Sequence, residues 1–380
     1  MGNQLGLVDA RGETWRSMKK STSGAFSLNR LKKSLPLYNS CCKEMTNFMY
    51  SQSSKGFEVD CADMIKRCSI NILGLVGFGM NINSFQDEKS ELKKHADNLF
   101  DFTRIMTLEF LPNVMKFFKV PFFPPKASKF IENVVERNIK SRESESGERK
   151  DILGALVKLH KENPEDVTKD MISKTCLQFL MDGYTTTAEG IIATLYMIAV
   201  NPTVEARLQE EIDRVLEDKD DPSAQLTYDD INELKYLDMV FKETMRIAAF
   251  GPLPRLCTKT WKVPDSDLII PVGTTVISPV LALQNDPEYW ENPEEFIPER
   301  FSEENKGNIK SGTYFPFGQG PRICLGMSFA RLEAKFIIIY ILRNFSIVGG
   351  EKLPKKLELD PDYFILPKGG LKLKFKQRHV

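Results

Sequence analysis

The ten residues Phe317-Gly318-Gln319-Gly320-Pro321-Arg322-Ile323-Cys324-Leu325-Gly326 read Phe-x-x-Gly-x-Arg-x-Cys-x-Gly and stand directly before a long apolar run. A cysteine anion is costly in a buried site unless something stabilises it. Here the N-terminus of the helix expected after Gly326 and the free N–H groups of the loop are both placed to point at the sulfur. Glycines at 318, 320 and 326 let backbone approach a flat macrocycle and take positive φ, and Phe317 screens the sulfur from water. Arg322 is placed to meet a haem propionate. The pattern is that of a thiolate held against a haem iron, where it pushes electron density onto the metal and favours O–O cleavage.

The plainer alternative is an ordinary buried cysteine in a Gly-rich turn, and a lone Gly-x-Cys-x-Gly would be read that way. Five fixed residue types at fixed spacing count against it. The other six cysteines, at 41, 42, 61, 68, 176 and 257, bring the total to an odd seven without the spacing of a secreted module, which points to a reducing compartment. Histidines 95, 160 and 379 share no ligand spacing, so any metal must arrive with its cofactor. Lys plus Arg equals Asp plus Glu at 52 each, so net charge asks for no nucleic acid or acidic polymer. The greasiest run, Phe336 to Leu342, is too short to span a bilayer, and Met1 opens no signal peptide.

Apolar spacing at i, i+3 and i+4 predicts helices over 27–50, 61–76, 87–108, 126–143, 167–200, 203–217 and 231–249. Strand-like runs are expected only in the C-terminal half, at 261–263, 268–271 and 275–278 and in a closing hairpin of 363–366 with 371–375 around Lys368-Gly369-Gly370. The class is mainly α with small β-sheets, in one domain over 1–380. The charged stretch 140–151 reads as a solvated inter-helix loop. Phe110 to Phe130 holds six phenylalanines, broken by Pro112, Pro121, Pro124 and Pro125, and reads as core packing or as an exposed lid.

Further residues recur in a fixed order around the Cys loop. Glu243 and Arg246 lie three apart on one helical face, followed by Trp290-Glu291-Asn292-Pro293 and Pro298-Glu299-Arg300-Phe301. Upstream stand Trp15-Arg16-Ser17-Met18-Lys19 and Phe179-Leu180-Met181-Asp182-Gly183-Tyr184-Thr185-Thr186-Thr187. In this order and spacing the chain resembles the cytochrome P-450 family, closest in pattern to its animal microsomal drug- and steroid-hydroxylating clan.

That resemblance implies a haem b enzyme with Cys324 as axial iron ligand, inserting one oxygen atom of O₂ into a hydrophobic small molecule. It implies electrons from NADPH through a cytochrome P-450 reductase, docked at Lys19, Lys20, Arg331 and Lys335, with cytochrome b5 as a further donor. Solvated charges explain those four residues equally well. Haem contacts would come from Trp15, Lys19, Arg255, Phe317, Gly318, Arg322 and Gly326. Lys19 stands where the family has Arg, which keeps the charge and loses the bidentate fork. Glu243, Arg246 and Arg300 would form a buried structural cluster in which every charge has a partner.

Phe179–Thr187 resembles the family's oxygen-binding helix, where Gly183 would weaken the helix and Thr186 would turn its hydroxyl into the opened groove. Two positions depart: the family's acid is Thr185, and the small residue beside the haem is Asp182. Asp182 and Thr186 are therefore the expected catalytic pair, and Leu253 and Phe364 are expected in the substrate pocket. The Phe-rich segment would be a lid in peripheral contact with the membrane, on the cytosolic face of the endoplasmic reticulum. The chain is expected to begin near the family's helix C, lacking the N-terminal anchor and first strands. Loss of the acid at Thr185 keeps open a haem-thiolate isomerase or dehydratase acting on a peroxide, and the short N-terminus an inactive haem-binding fragment.

Overall fold

The computed structural model describes residues 7, 10–53, 58–87, 90–99, 104, 107, 111, 117–118, 120–121, 123–143, 151–165, 167–217, 225–361 and 365–378. These residues cluster into two units, one of 1–235 with 325–380 and one of 236–324.

The first unit is organised by the helix Lys169–Ala199, whose side chains are buried on nearly every face from Tyr184 onward. A helix apolar all round has no preferred solvent side and must be wrapped. Its N-terminus is set by Thr168, whose side chain accepts from the Met171 N–H at 3.2 Å. Cys61–Ile72, Pro125–Glu143, Ile152–Glu162 and Met327–Asn344 pack around it. A chain of rings ties these helices together: Phe26 to Phe179 at 4.7 Å, Phe179 to Phe329 at 5.6 Å, and Tyr38 stacked on Phe336 at 5.2 Å. No helix among the described residues is long and apolar enough to cross a membrane.

Most predicted helices are present, several of them divided. The segment 27–50 breaks at Ser34 into Leu28–Lys33 and Leu35–Ser53, with Pro36 in the first turn of the second. The helix Cys61–Ile72 gives way to a wider turn over Leu73–Gly77, where a Cβ on Gly74 would lie 2.2 Å from Ile82 Cδ1. Of 87–108 only Glu91–Asp97 is a described helix. The stretch 140–151 is only partly solvated: Lys140 and Ser141 are exposed, but Arg142 and Asp151 are buried and paired at 2.5 Å, and Asp151 caps Ile152–Glu162. Its middle lies outside the described residues.

The closing hairpin is also corrected. Strand β7 (Lys372–Gln377) lies between β1 (Glu58–Asp60) and β6 (Phe345–Val348) in an antiparallel sheet, with Val59 opposite Leu373 and Ile347 opposite Phe375. Strand structure thus reaches into the N-terminal half. Of the expected partner, 363 and 364 lie outside the described residues, and among the described ones nearby Leu359 and Pro367 form an isolated bridge.

The second unit holds most of the helix Lys235–Ile247, the short helix Val280–Gln284 and two antiparallel strand pairs. Strand β2 (Leu253–Leu256) pairs with β5 (Thr275–Ser278), and β3 (Trp261–Lys262) with β4 (Ile269–Ile270). Trp290, Phe301 and Tyr314 form its aromatic centre, with Phe301 to Tyr314 at 4.8 Å.

One buried acid in the first unit has a measurable consequence. Glu333 is fully buried. Burial pushes its carboxyl up to about 8, an effect that Ser69 only partly offsets. Tyr38, Cys41, Cys42 and Cys68 face it, all with protons held by burial. The folded chain therefore keeps a proton that the unfolded chain releases near about pH 4.3. Stability is fully present below that value and falls by up to about 1.4 kcal/mol per pH unit as pH rises towards 8. Glu333→Gln is expected to flatten the decline in Tm across this window. An unchanged slope in the variant would contradict the assignment.

Candidate functional site

The Cys324 loop is closed by its own backbone. Gly318 N–H donates to Phe315 O at 2.9 Å, Ile323 N–H to Gly320 O at 3.1 Å, and Cys324 N–H to Phe317 O at 2.9 Å. Gly318 and Gly320 take φ of 75° and 72°, a region in which a Cβ is strained. The result is a compact turn that returns Cys324 beside Phe317. Leu253 of β2 lies against it, its Cδ1 3.6 Å from where a Cβ on Gly318 would sit. Gly326, at φ −84° and not in the expected left-handed region, caps the following helix, its carbonyl accepting from Ala330 N–H at 2.9 Å.

Cys324 is the exposed one of the seven cysteines. Burial pushes the thiols of Cys41, Cys42, Cys61 and Cys68 up, and that of Cys176 to about 12, so these five are held as thiols. Cys257 is half-buried and donates to the carbonyl of Lys259 at 3.1 Å. Among the described residues no group of His, Cys, Asp and Glu could hold a bare metal ion. The donor set fits a metal carried by a macrocycle and bound through one sulfur.

Behind the loop in the same unit lies the charged cluster. Glu243 and Arg246 are fully buried and joined by two hydrogen bonds, Nε to Oε2 at 2.8 Å and Nη2 to Oε1 at 2.9 Å. Arg300 Nε reaches Glu243 Oε1 at 3.2 Å, and the Ile297 N–H adds a fourth bond at 3.0 Å. Arg246 also donates to the carbonyls of Gln284 and Pro293, at 2.9 and 2.8 Å, and packs over the Trp290 ring at 5.2 Å. Arg300 donates to Asn292 O at 2.7 Å. The guanidinium groups thus fasten the helix Lys235–Ile247 to the irregular segment 284–300. Gln284 and the Ile297 N–H were not visible as partners from residue types alone, because both act through backbone groups.

The first unit carries several of the other expected residues. Lys19 lies over the Trp15 ring at 5.2 Å, which keeps those two together on Gly12–Ser23. The helix Lys169–Ala199 runs through Gly183 without interruption, so the expected opened groove is not seen. Thr186 Oγ1 donates back to the Asp182 carbonyl. A Cβ on Gly183 would stand 3.2 Å from the Phe179 ring, so close ring packing is what this glycine allows. Thr185 is buried. Tyr184 OH donates to Asp97 at 2.7 Å, and Lys93 joins Asp97 to Asp63, a network that no sequence spacing marks. Arg255 is exposed on β2, donating to Pro254 O at 2.8 Å. Phe317 and Arg322 are half-buried, and Phe364 lies outside the described residues.

Known proteins match this sequence over most of its length. The sequence model of the family described as Cytochrome P450 matches residues 1–375. Cytochrome P450 3A41 of Mus musculus is 31% identical over 385 residues, which cover 98% of this chain and 75% of that protein. Cytochrome P450 6k1 of Blattella germanica is 32% identical over 390 residues, with 94% and 73% coverage. Cytochrome P450 3A11 of Mus musculus is 32% identical over 383 residues, with 97% and 75% coverage.

The cluster geometry sets an order of mutational cost. Glu243→Ala leaves Arg246 unpaired in a fully buried position and should destabilise by about 3–5 kcal/mol. Arg300→Ala should cost less, because the Arg300 side chain is 12% exposed and water can replace part of its bonding. Equal losses in denaturant unfolding would contradict this ranking.

Proposed function

Because this chain belongs to the cytochrome P450 family, whose members are haem-thiolate monooxygenases, we propose that Cys324 is its axial iron ligand and that residues 1–380 act as one catalytic domain. The observation that carries this reading is a single exposed cysteine on a loop closed by Cys324 N–H to Phe317 O and built on two left-handed glycines. The remaining contacts follow from the same reading. Phe317, Gly318 and Gly326 line the thiolate side, and Trp15, Lys19, Arg255 and Arg322 bind propionates. When bound, the haem supplies dioxygen activation, helped by the electron density that the thiolate donates.

The chain's own residues manage protons and substrate. The Thr186 hydroxyl donates to the Asp182 carbonyl, so its lone pairs face outward as acceptors for water. Asp182 lies one helical turn before Thr186, on the same face, and Thr185 cannot ionise. Asp182 therefore feeds protons and Thr186 holds the water that passes them on. The substrate is a hydrophobic small molecule of the xenobiotic, steroid or lipid type, with Leu253 and Phe364 at its pocket. Electrons come from NADPH through a flavoprotein reductase, docked at Lys19, Lys20, Arg331 and Lys335, with cytochrome b5 as a further donor. Phe117 and Phe118, 80% and 69% exposed, support peripheral contact with the endoplasmic reticulum membrane.

Thr185 favours a second reading, since a haem-thiolate isomerase or dehydratase acting on a peroxide needs no acid at that position. Substrate-dependent NADPH consumption separates the two. For the monooxygenase, Asp182→Ala should lower product formation and raise hydrogen peroxide released per NADPH, and Thr185→Glu should partly restore coupling. Unchanged coupling in Asp182→Ala would remove that carboxyl from the mechanism.

A further inference from the structure

We infer that Gln284 is a positioning residue for the Cys324 loop, transmitting the order of the buried Glu243–Arg246 pair to the root of that loop through its side-chain amide. Gln284 ends the helix Val280–Gln284 and is fully buried. Its Nε2 donates to the carbonyls of Met245 and Arg246, at 2.9 and 3.2 Å. These belong to the last turn of Lys235–Ile247, whose final carbonyls lack partners within their own helix. At the other end Oε1 accepts the Phe315 N–H at 2.9 Å. The main-chain carbonyl of Gln284 meanwhile accepts Arg246 Nη1 at 2.9 Å.

The amide has only one workable orientation. Flipped, it would set an oxygen against two carbonyls and an NH₂ against an N–H. The side chain thereby fixes Phe315 relative to Arg246. Phe315 is where the loop is rooted: its carbonyl takes the Gly318 N–H at 2.9 Å, which sets the turn that leads to Phe317 and the closing bond from Cys324. No charged group makes this link. A neutral amide suits the position because it donates and accepts at once, which neither a carboxylate nor an apolar side chain does. The consequence for the iron rests on Cys324 being the ligand, whereas the consequence for the loop does not.

The test compares Gln284→Met, which has similar volume and neither function, with Thr244→Val. Thr244 is an equally buried polar residue on the same helix, bonded only to Val240 O of its own helix at 2.9 Å. In the full chain without haem, amide exchange across 313–324 should be roughly tenfold faster or more in Gln284→Met and unchanged in Thr244→Val. In the haem-loaded chain, the red-shifted ferrous–CO band of Gln284→Met should decay faster than that of wild type. If Gln284→Met does not fold, Gln284→Glu keeps the acceptor for Phe315 but sets an oxygen against two carbonyls, and it should likewise speed exchange at the same amides. Exchange as slow as in wild type in the folded variant, or an equal rise in Thr244→Val, would overturn the inference. A wild-type chain lacking the red-shifted band would instead remove Cys324 as ligand and leave the exchange result standing.

Discussion

A fully buried carboxylate holding two arginines is the constraint on which the second unit depends. Removing Glu243 and Arg246 from water carries a desolvation penalty of several kcal/mol per ion, offset only if both charges keep near-ideal partners. Those partners are the other side chain, Arg300, the Ile297 N–H and the carbonyls of Gln284 and Pro293. The segment that supplies them has little regular structure, so its shape is set by the charges it must satisfy. Loss of Glu243 or Arg246 leaves a buried charge without its partner, whereas loss of Arg300 leaves that pair intact.

The first unit rests on a different principle. Its long helix is buried on nearly every face from Tyr184 onward, and the segments around it are joined by ring contacts and by the buried Arg142–Asp151 pair. Polar groups inside it are correspondingly expensive, and Glu333 is the sharpest case: burial holds its proton, and Ser69 offsets that only in part. The same helix carries the Asp182–Thr186 pair, where a hydroxyl satisfies a carbonyl of its own helix. A rigid, wrapped helix would suit the water-holding role proposed for Thr186.

The Cys324 loop was legible in the sequence because its requirements are local. Left-handed backbone needs glycine, and a returning turn needs fixed spacing, so residues 317–326 carry their own signature. Glu243 with Arg246 was legible for the same reason, three apart on one face, although Arg300 needed the surrounding order of motifs. What could not be read depends on distant partners. Strand β1 has three residues, too few to alternate visibly, and exists because β7 pairs with it. Tyr184 with Asp97, Arg142 with Asp151, and Gln284 with Phe315 are long-range pairs with no periodic trace. Thr186 was expected to face an opened groove. It instead donates within an unbroken helix, because an unpaired hydroxyl in that position has a carbonyl four residues back to satisfy it.

The central claim is that one loop, held from behind by buried charges, presents one thiolate to a haem iron. The spectrum of the reduced, haem-loaded protein under carbon monoxide tests it most directly. A strongly red-shifted Soret band, present in the wild type and in single Cys→Ser variants at 41, 42, 61, 68, 176 and 257 but absent from Cys324→Ser, is the predicted result. Retention of that band in Cys324→Ser, or its loss in any of the other six variants while haem remains bound, would contradict the account.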